Sequence, residues 1–183
     1  MATESGVSLG QASNVKKVLF NRELVSGERG GFSLKEPIAL LREWAENYDY
    51  RKNEIQEFYS FKSVPDIENA LAIYCNNRKI KYSLTGFSGA ARITPVVRYQ
   101  KAMVYITDLA KEEVSELSLK AVKSGGNLLL FNPYDDGVFY GSSSFNGIQV
   151  ASEIQLYLDL QGFRGRGEEA ADVLYERIVE KAW

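Results

Sequence analysis

The sequence predicts an α+β fold, and three observations carry that prediction. Segments with apolar residues at helical spacing alternate with short apolar runs suited to strands. Three strand-like runs then follow one another between Asn127 and Ser152, and two further helical segments close the chain. With 183 residues, 45% hydrophobic and 25% charged, the chain has the composition of a globular protein with one main unit and one smaller one.

The first element is set by its cap. Ser8 followed three residues later by Gln11 has the form of a capping box, and Leu9, Ala12, Val15 and Leu19 recur on one side, so a helix starts near Leu9. Its other side carries Gln11, Ser13, Asn14, Lys17 and Asn21, with Lys16 at the margin. Residues 5–22 hold Lys16, Lys17 and Arg22 and no acid, a local charge of +3. "LVSGERGGFSL" then reads as a β-hairpin with Arg29 at its glycine-rich tip.

Pro37 suits the first turn of the next helix, where its missing N–H costs nothing, and Ile38, Leu41, Trp44, Ala45 and Tyr48 form the apolar face. A polar, aromatic-rich connection follows. Pro65 opens a second such helix, with Asp66 and Glu68 matching the helix dipole and Ile67, Ala70, Leu71, Tyr74 and Cys75 facing inward. Periodicity leaves "YSLTGFSGAARITPVVRYQ" open between a closely packed helix and a bent strand.

"KAMVYI" predicts a strand, and Thr107 or Asp108 caps a helix over "LAKEEVSELSLKAVKSG" that stops at Gly125–Gly126. "NLLLFNP", "GVFYGS" and "GIQVAS" predict three strands between turn signals. A second capping box, Ser152 with Gln155, starts a helix through Ile154, Tyr157, Leu158 and Asp159 that ends near Gly162. Ala170, Leu174, Ile178 and Ala182 then share one face of a final helix.

The totals exclude several functions. Lysine and arginine number 22 against 24 acidic residues, so a net charge of −2 provides no whole-molecule attraction to nucleic acid or anionic membrane. One cysteine, Cys75, allows no internal disulfide and reads as a packed small hydrophobe. No histidine is present, which removes His-based triads and HExxH zinc sites. No run approaches the roughly 18 apolar residues of a membrane span, and nothing at the start marks export, so a cytoplasmic protein is expected.

Candidate chemistry is sparse. The corner between the last two helices, "GFRGRGEE", is glycine-rich, but a helix precedes it and Glu168 and Glu169 stand where an anion would sit. It reads as a helix-to-helix corner with Arg164 and Arg166 on its surface. Asp135 and Asp136, with Glu153, offer carboxylates for a degenerate metal-dependent nuclease or nucleotide-modifying domain, yet Asp136–Gly137 suits a turn better. The Gly-Ser of "YGSSSFNG" lacks the Asp-x-Asp that nucleotidyltransferase chemistry would need. Tyr82, Tyr99, Tyr134 and Tyr140, with Arg92, Arg98 and Lys101, offer an aromatic and basic surface for single-stranded nucleic acid, but core packing is the favoured reading of these tyrosines. Helix then glycine-tipped hairpin is the order of recognition helix and wing in winged helix-turn-helix domains.

"VSLGQASNVKKVL", "GGFSLKEPIALLREWAENY", "YSLTGFSGAARITPVVRYQKAMVYI", "NPYDDGVFYG" and "IQLYLDLQGFRGRGEEAADVL" together resemble the AbiEi-type antitoxins, regulators in type IV toxin-antitoxin systems. The resemblance implies a partial winged helix-turn-helix over residues 1–36 and an α+β antitoxin domain over 37–183 with a small mixed sheet and C-terminal helices. It also implies repression of the protein's own operon and antagonism of a nucleotidyltransferase toxin without a stable complex, with no catalytic residue, metal or cofactor. By that resemblance Gln11, Ser13, Asn14, Lys16 and Lys17 lie on a recognition helix and Arg29 on a wing. The chain begins almost on that helix, so a fragment lacking the two preceding helices, with weak or no specific DNA binding by itself, is expected.

Overall fold

The computed structural model describes residues 7–28, 31–94, 98–107 and 115–181. The chain divides into two compact units, Met1–Tyr48 with Lys181–Trp183, and Asp49–Glu180. The boundary between them falls after the expected 36/37 division.

The first unit holds α1 (Leu9–Asn21), a two-stranded antiparallel sheet of β1 (Val25–Glu28) and β2 (Gly31–Leu34), and α2 (Pro37–Asn47). The capping box forms as expected: the Gln11 N–H donates to Ser8 Oγ at 3.2 Å, and the Ser8 N–H donates back to Gln11 Oε1 at 3.1 Å. The hairpin register pairs Val25 with Leu34 and Ser26 with Ser33, whose hydroxyls lie 2.9 Å apart. Pro37 occupies the first turn of α2, of whose apolar face only Leu41 is buried, while Trp44 is 50% exposed. The helix and hairpin stand in the expected order.

The second unit is built on a seven-stranded mixed sheet. Its strands are β3 (Glu54–Tyr59), β4 (Tyr82–Leu84), β5 (Ala102–Ile106), β6 (Lys120–Ala121), β7 (Leu128–Asn132), β8 (Ser143–Phe145) and β9 (Ile148–Val150), in the order β6-β3-β7-β5-β4-β9-β8. The β5/β7 and β4/β9 pairs are parallel and the rest antiparallel. Central β5 is buried throughout, hence its uninterrupted apolar sequence. Alternation puts Met103 and Tyr105 on one face, where they cluster with Phe131 and Val138 beneath Tyr50, Phe87, Leu129, Phe139 and Phe163.

Among the described residues this unit also holds the helices α3 (Val64–Arg78), α4 (Gly86–Ile93), α5 (Glu153–Gln161) and α6 (Arg166–Lys181). Ser63 caps α3 by accepting from the Asp66 N–H. Cys75 is fully buried, as expected. Gly89 of α4 sits so close to α5 and β4 that an added Cβ would lie 2.4 Å from Leu156 Cδ2 and 2.9 Å from the Leu84 carbonyl oxygen. The ambiguous segment after Lys81 therefore resolves into both alternatives, strand β4 and then helix α4.

Four expectations are corrected. The polar connection before α3 contains β3, which pairs with β7 through Glu54–Asn132 to Phe58–Leu128. The helix expected up to Gly125 gives way to a turn at Ser118, whose φ is +55°, and then to β6; its Asp108–Val114 part lies outside the described residues. "GVFYGS" is not a strand, because Asp135 accepts from the Gly137 N–H at 2.6 Å and folds Asp136–Phe139 into a 3-10 turn, leaving β8 to start at Ser143. Gln155 does not close a second capping box; Ser152 caps α5, while the Gln155 amide donates to Asp159 at 3.0 Å.

Candidate nucleic-acid interface

α1 has no buried residue, so its polar side meets solvent. Ser13, Asn14, Lys17 and Asn21 are exposed. Gln11 is exposed but committed to the cap, with its carbonyl oxygen accepting from both Ser8 N–H and Ser8 Oγ. Lys16 differs from its neighbour: its Nζ lies 5.6 Å from the Phe20 ring centroid and 5.5 Å from that of Phe32. Arg22, at the end of the helix, donates 2.6 Å from Nη2 to Glu43 Oε2 on α2. Arg29, the expected wing contact, lies outside the described residues.

The glycine-rich corner is structural. Gly165, at φ +71°, donates its N–H to Glu168 Oε2 at 3.2 Å, so the carboxylate fills the place an anion would take. α6 begins at Arg166, whose guanidinium donates to the Arg98 carbonyl, while Arg164 and Glu169 are exposed. Gly167 is needed for the close approach of α6 to α5, since a Cβ there would lie 2.6 Å from the Leu160 carbonyl oxygen.

The carboxylates of the enzymatic alternative are not brought together. Asp135 folds its own turn, Asp136 pairs with Lys81 at 2.6 Å, and Glu153 pairs with Arg177 at 3.2 Å. Among the described residues no three metal-ligating side chains cluster. The aromatic and basic set is dispersed too. Tyr82 is buried, Arg92 and Tyr99 are bound to Glu68, and Lys101 is held by Glu57 at 2.6 Å, leaving Arg98, Tyr134 and Tyr140 exposed.

Two buried carboxylates escaped sequence reading. Glu68, expected as a first-turn acid matching the helix dipole, is fully buried, and its Oε2 accepts from Arg92 at 2.6 Å and from the Tyr99 hydroxyl at 3.0 Å. Loss of hydration and the adjacent Glu68 charge push the Tyr99 phenol up to about 12. Asp159, 2% exposed, accepts from the hydroxyls of Thr85 and Tyr105, the latter at 2.8 Å, and from the Gln155 amide. The usable signal was a carboxylate inside the apolar run Leu-Tyr-Leu-Asp-Leu.

No described helix is long and apolar enough to cross a membrane. Neither a curated protein nor a solved structure matches the chain. A family model described as "Transcriptional regulator, AbiEi antitoxin, Type IV TA system" matches residues 33–180. The match starts inside β2, leaving α1 and β1 outside it, and covers well over half the chain. The chain therefore belongs to the AbiEi antitoxin family of transcriptional regulators of type IV toxin-antitoxin systems.

Proposed function

We propose that the protein is an autorepressor and antitoxin: it binds the operator of its own operon and counters a nucleotidyltransferase toxin without catalysis and without a stable complex. The family gives the regulatory setting. The observation that carries the DNA-binding half is the exposed, acid-free α1, followed directly by a hairpin, on a chain whose overall charge is −2. Phosphate contact by such a local cation-bearing helix fits sequence-directed binding better than whole-molecule attraction. The separate engagement of Asp135, Asp136 and Glu153 supports a regulator over a metal-dependent enzyme.

Co-expression with a nucleotidyltransferase toxin of a type IV system tests the antitoxin half. Growth should be restored, with no co-purification of the two proteins. Persistent growth arrest in cells that hold soluble antitoxin would refute the proposal.

A further inference from the structure

The two adjacent lysines of α1 have different surroundings. Successive residues turn by about 100° around a helix, so Lys16 falls within the arc of Ala12, Leu19 and Phe20, the partly buried residues of α1. Lys17 falls on the opposite side with Asn14 and Asn21. The Lys16 ammonium lies within the roughly 6 Å at which a cation is attracted to a ring face, and it reaches both Phe20 of the helix and Phe32 of β2. One cation thus joins the helix to the hairpin.

The outward side has a definite chemistry. Asn14, Val18 and Asn21 follow i, i+4, i+7 spacing and form one stripe, with Val18 53% exposed between two exposed amides. In the major groove an asparagine amide matches the N6 donor and N7 acceptor of adenine, and an apolar side chain suits the thymine methyl. The stripe has no arginine to read guanine and no carboxylate to read cytosine. Lys17 beside it supplies a point charge for a phosphate, and the absence of acids from residues 7–22 makes the surface complementary to a polyanion.

We infer that α1 reads A·T pairs in the major groove through Asn14, Val18 and Asn21, with Lys17 on a phosphate and Lys16 as the positioning residue that fixes the helix against the hairpin. The inference rests on the DNA-binding half of the proposed function. All of these side chains lie outside the core, so their variants keep the fold.

The test is an amide and side-chain NMR titration of the 183-residue chain, run at low salt so that the weak binding expected of this chain is still detected, with two duplexes of equal length, one A·T-rich and one G·C-rich. Shifts should concentrate at Asn14, Lys17, Val18 and Asn21, and the A·T-rich duplex should bind about tenfold tighter, the factor that about 1.4 kcal/mol of base discrimination produces. N14A should remove most of that preference. K17A should lower the log–log salt slope by about 0.9, whereas K16M weakens binding and leaves the slope unchanged. Without DNA, the Lys16 methylene protons should be ring-current shifted, and F32L should reverse this.

Equal affinity for the two duplexes would overturn the base assignment and leave DNA binding intact. Binding of neither duplex would overturn the DNA-binding half of the proposed function as well. An unshifted Lys16 resonance, or a K16M slope change equal to that of K17A, would overturn the positioning role.

Discussion

Replacing Tyr105 by phenylalanine removes a buried polar contact. The ring stays in the cluster with Phe131 and Phe139, and only the hydroxyl that donates to Asp159 Oδ1 at 2.8 Å is lost. Tyr105 is fully buried and Asp159 is 2% exposed, so water is not at hand to replace the donor. A hydrogen bond contributes about 0.5–1.5 kcal/mol net, and a buried acceptor that loses a donor costs about 1–3 kcal/mol. With a urea dependence of about 1–3 kcal/mol per molar, the midpoint should fall by about 1 M. Because the chain has two units, the assay is urea-dependent amide exchange of β5 and α5, which reports openings of the second unit alone. Tyr140, 74% exposed, supplies the control, and Y140F should stay within about 0.5 kcal/mol of the parent. T85V removes a second donor to Asp159, so the double variant should show a coupling of about 0.5–3 kcal/mol. Y105F behaving like Y140F would refute the view that this carboxylate organises the core.

Gly89→Ala should destabilise the second unit by about 1–3 kcal/mol in the same exchange assay, because its methyl meets Leu156 and the Leu84 backbone. In an ultraviolet phenolate titration, one group should ionise near pH 12 and vanish in Y99F. A folded-state value above the unfolded 10.0 contributes stability that is complete below pH 10 and lost as pH rises toward 12, so Y99F should flatten this alkaline decline. Magnesium or manganese should leave the melting temperature unchanged, since Asp135 and Asp136 hold other partners; a rise would indicate a native-state site by mass action.

Elements with a local cause were readable from the sequence. The Ser8–Gln11 box, Pro37, Pro65 and the Ser152 cap each mark a helix start with residues that satisfy or tolerate unpaired N–H groups. β5 and β7 announced themselves through apolar runs. β3 did not, because half of "EIQEFY" is polar and it buries only Phe58; it is a strand by virtue of its pairing with β7, which lies far along the chain. β6 depends likewise on β3, and no propensity near Lys120 specifies it. Glu68 was read as a dipole partner because its burial depends on Arg92 and Tyr99, both outside its own helix. In α1 the exposed face was legible as a face, but the orientation of Lys16 was not, since Phe32 enters only when the hairpin folds back.

The most direct measurement is repression of a reporter driven by the DNA upstream of the protein's own gene, with that gene supplied in trans. Expression of the parent should silence the reporter, and the N14A/K17A pair should restore its output at equal protein level while still protecting cells from the toxin. Full repression by that variant would show that the outward face of α1 does not hold the operator.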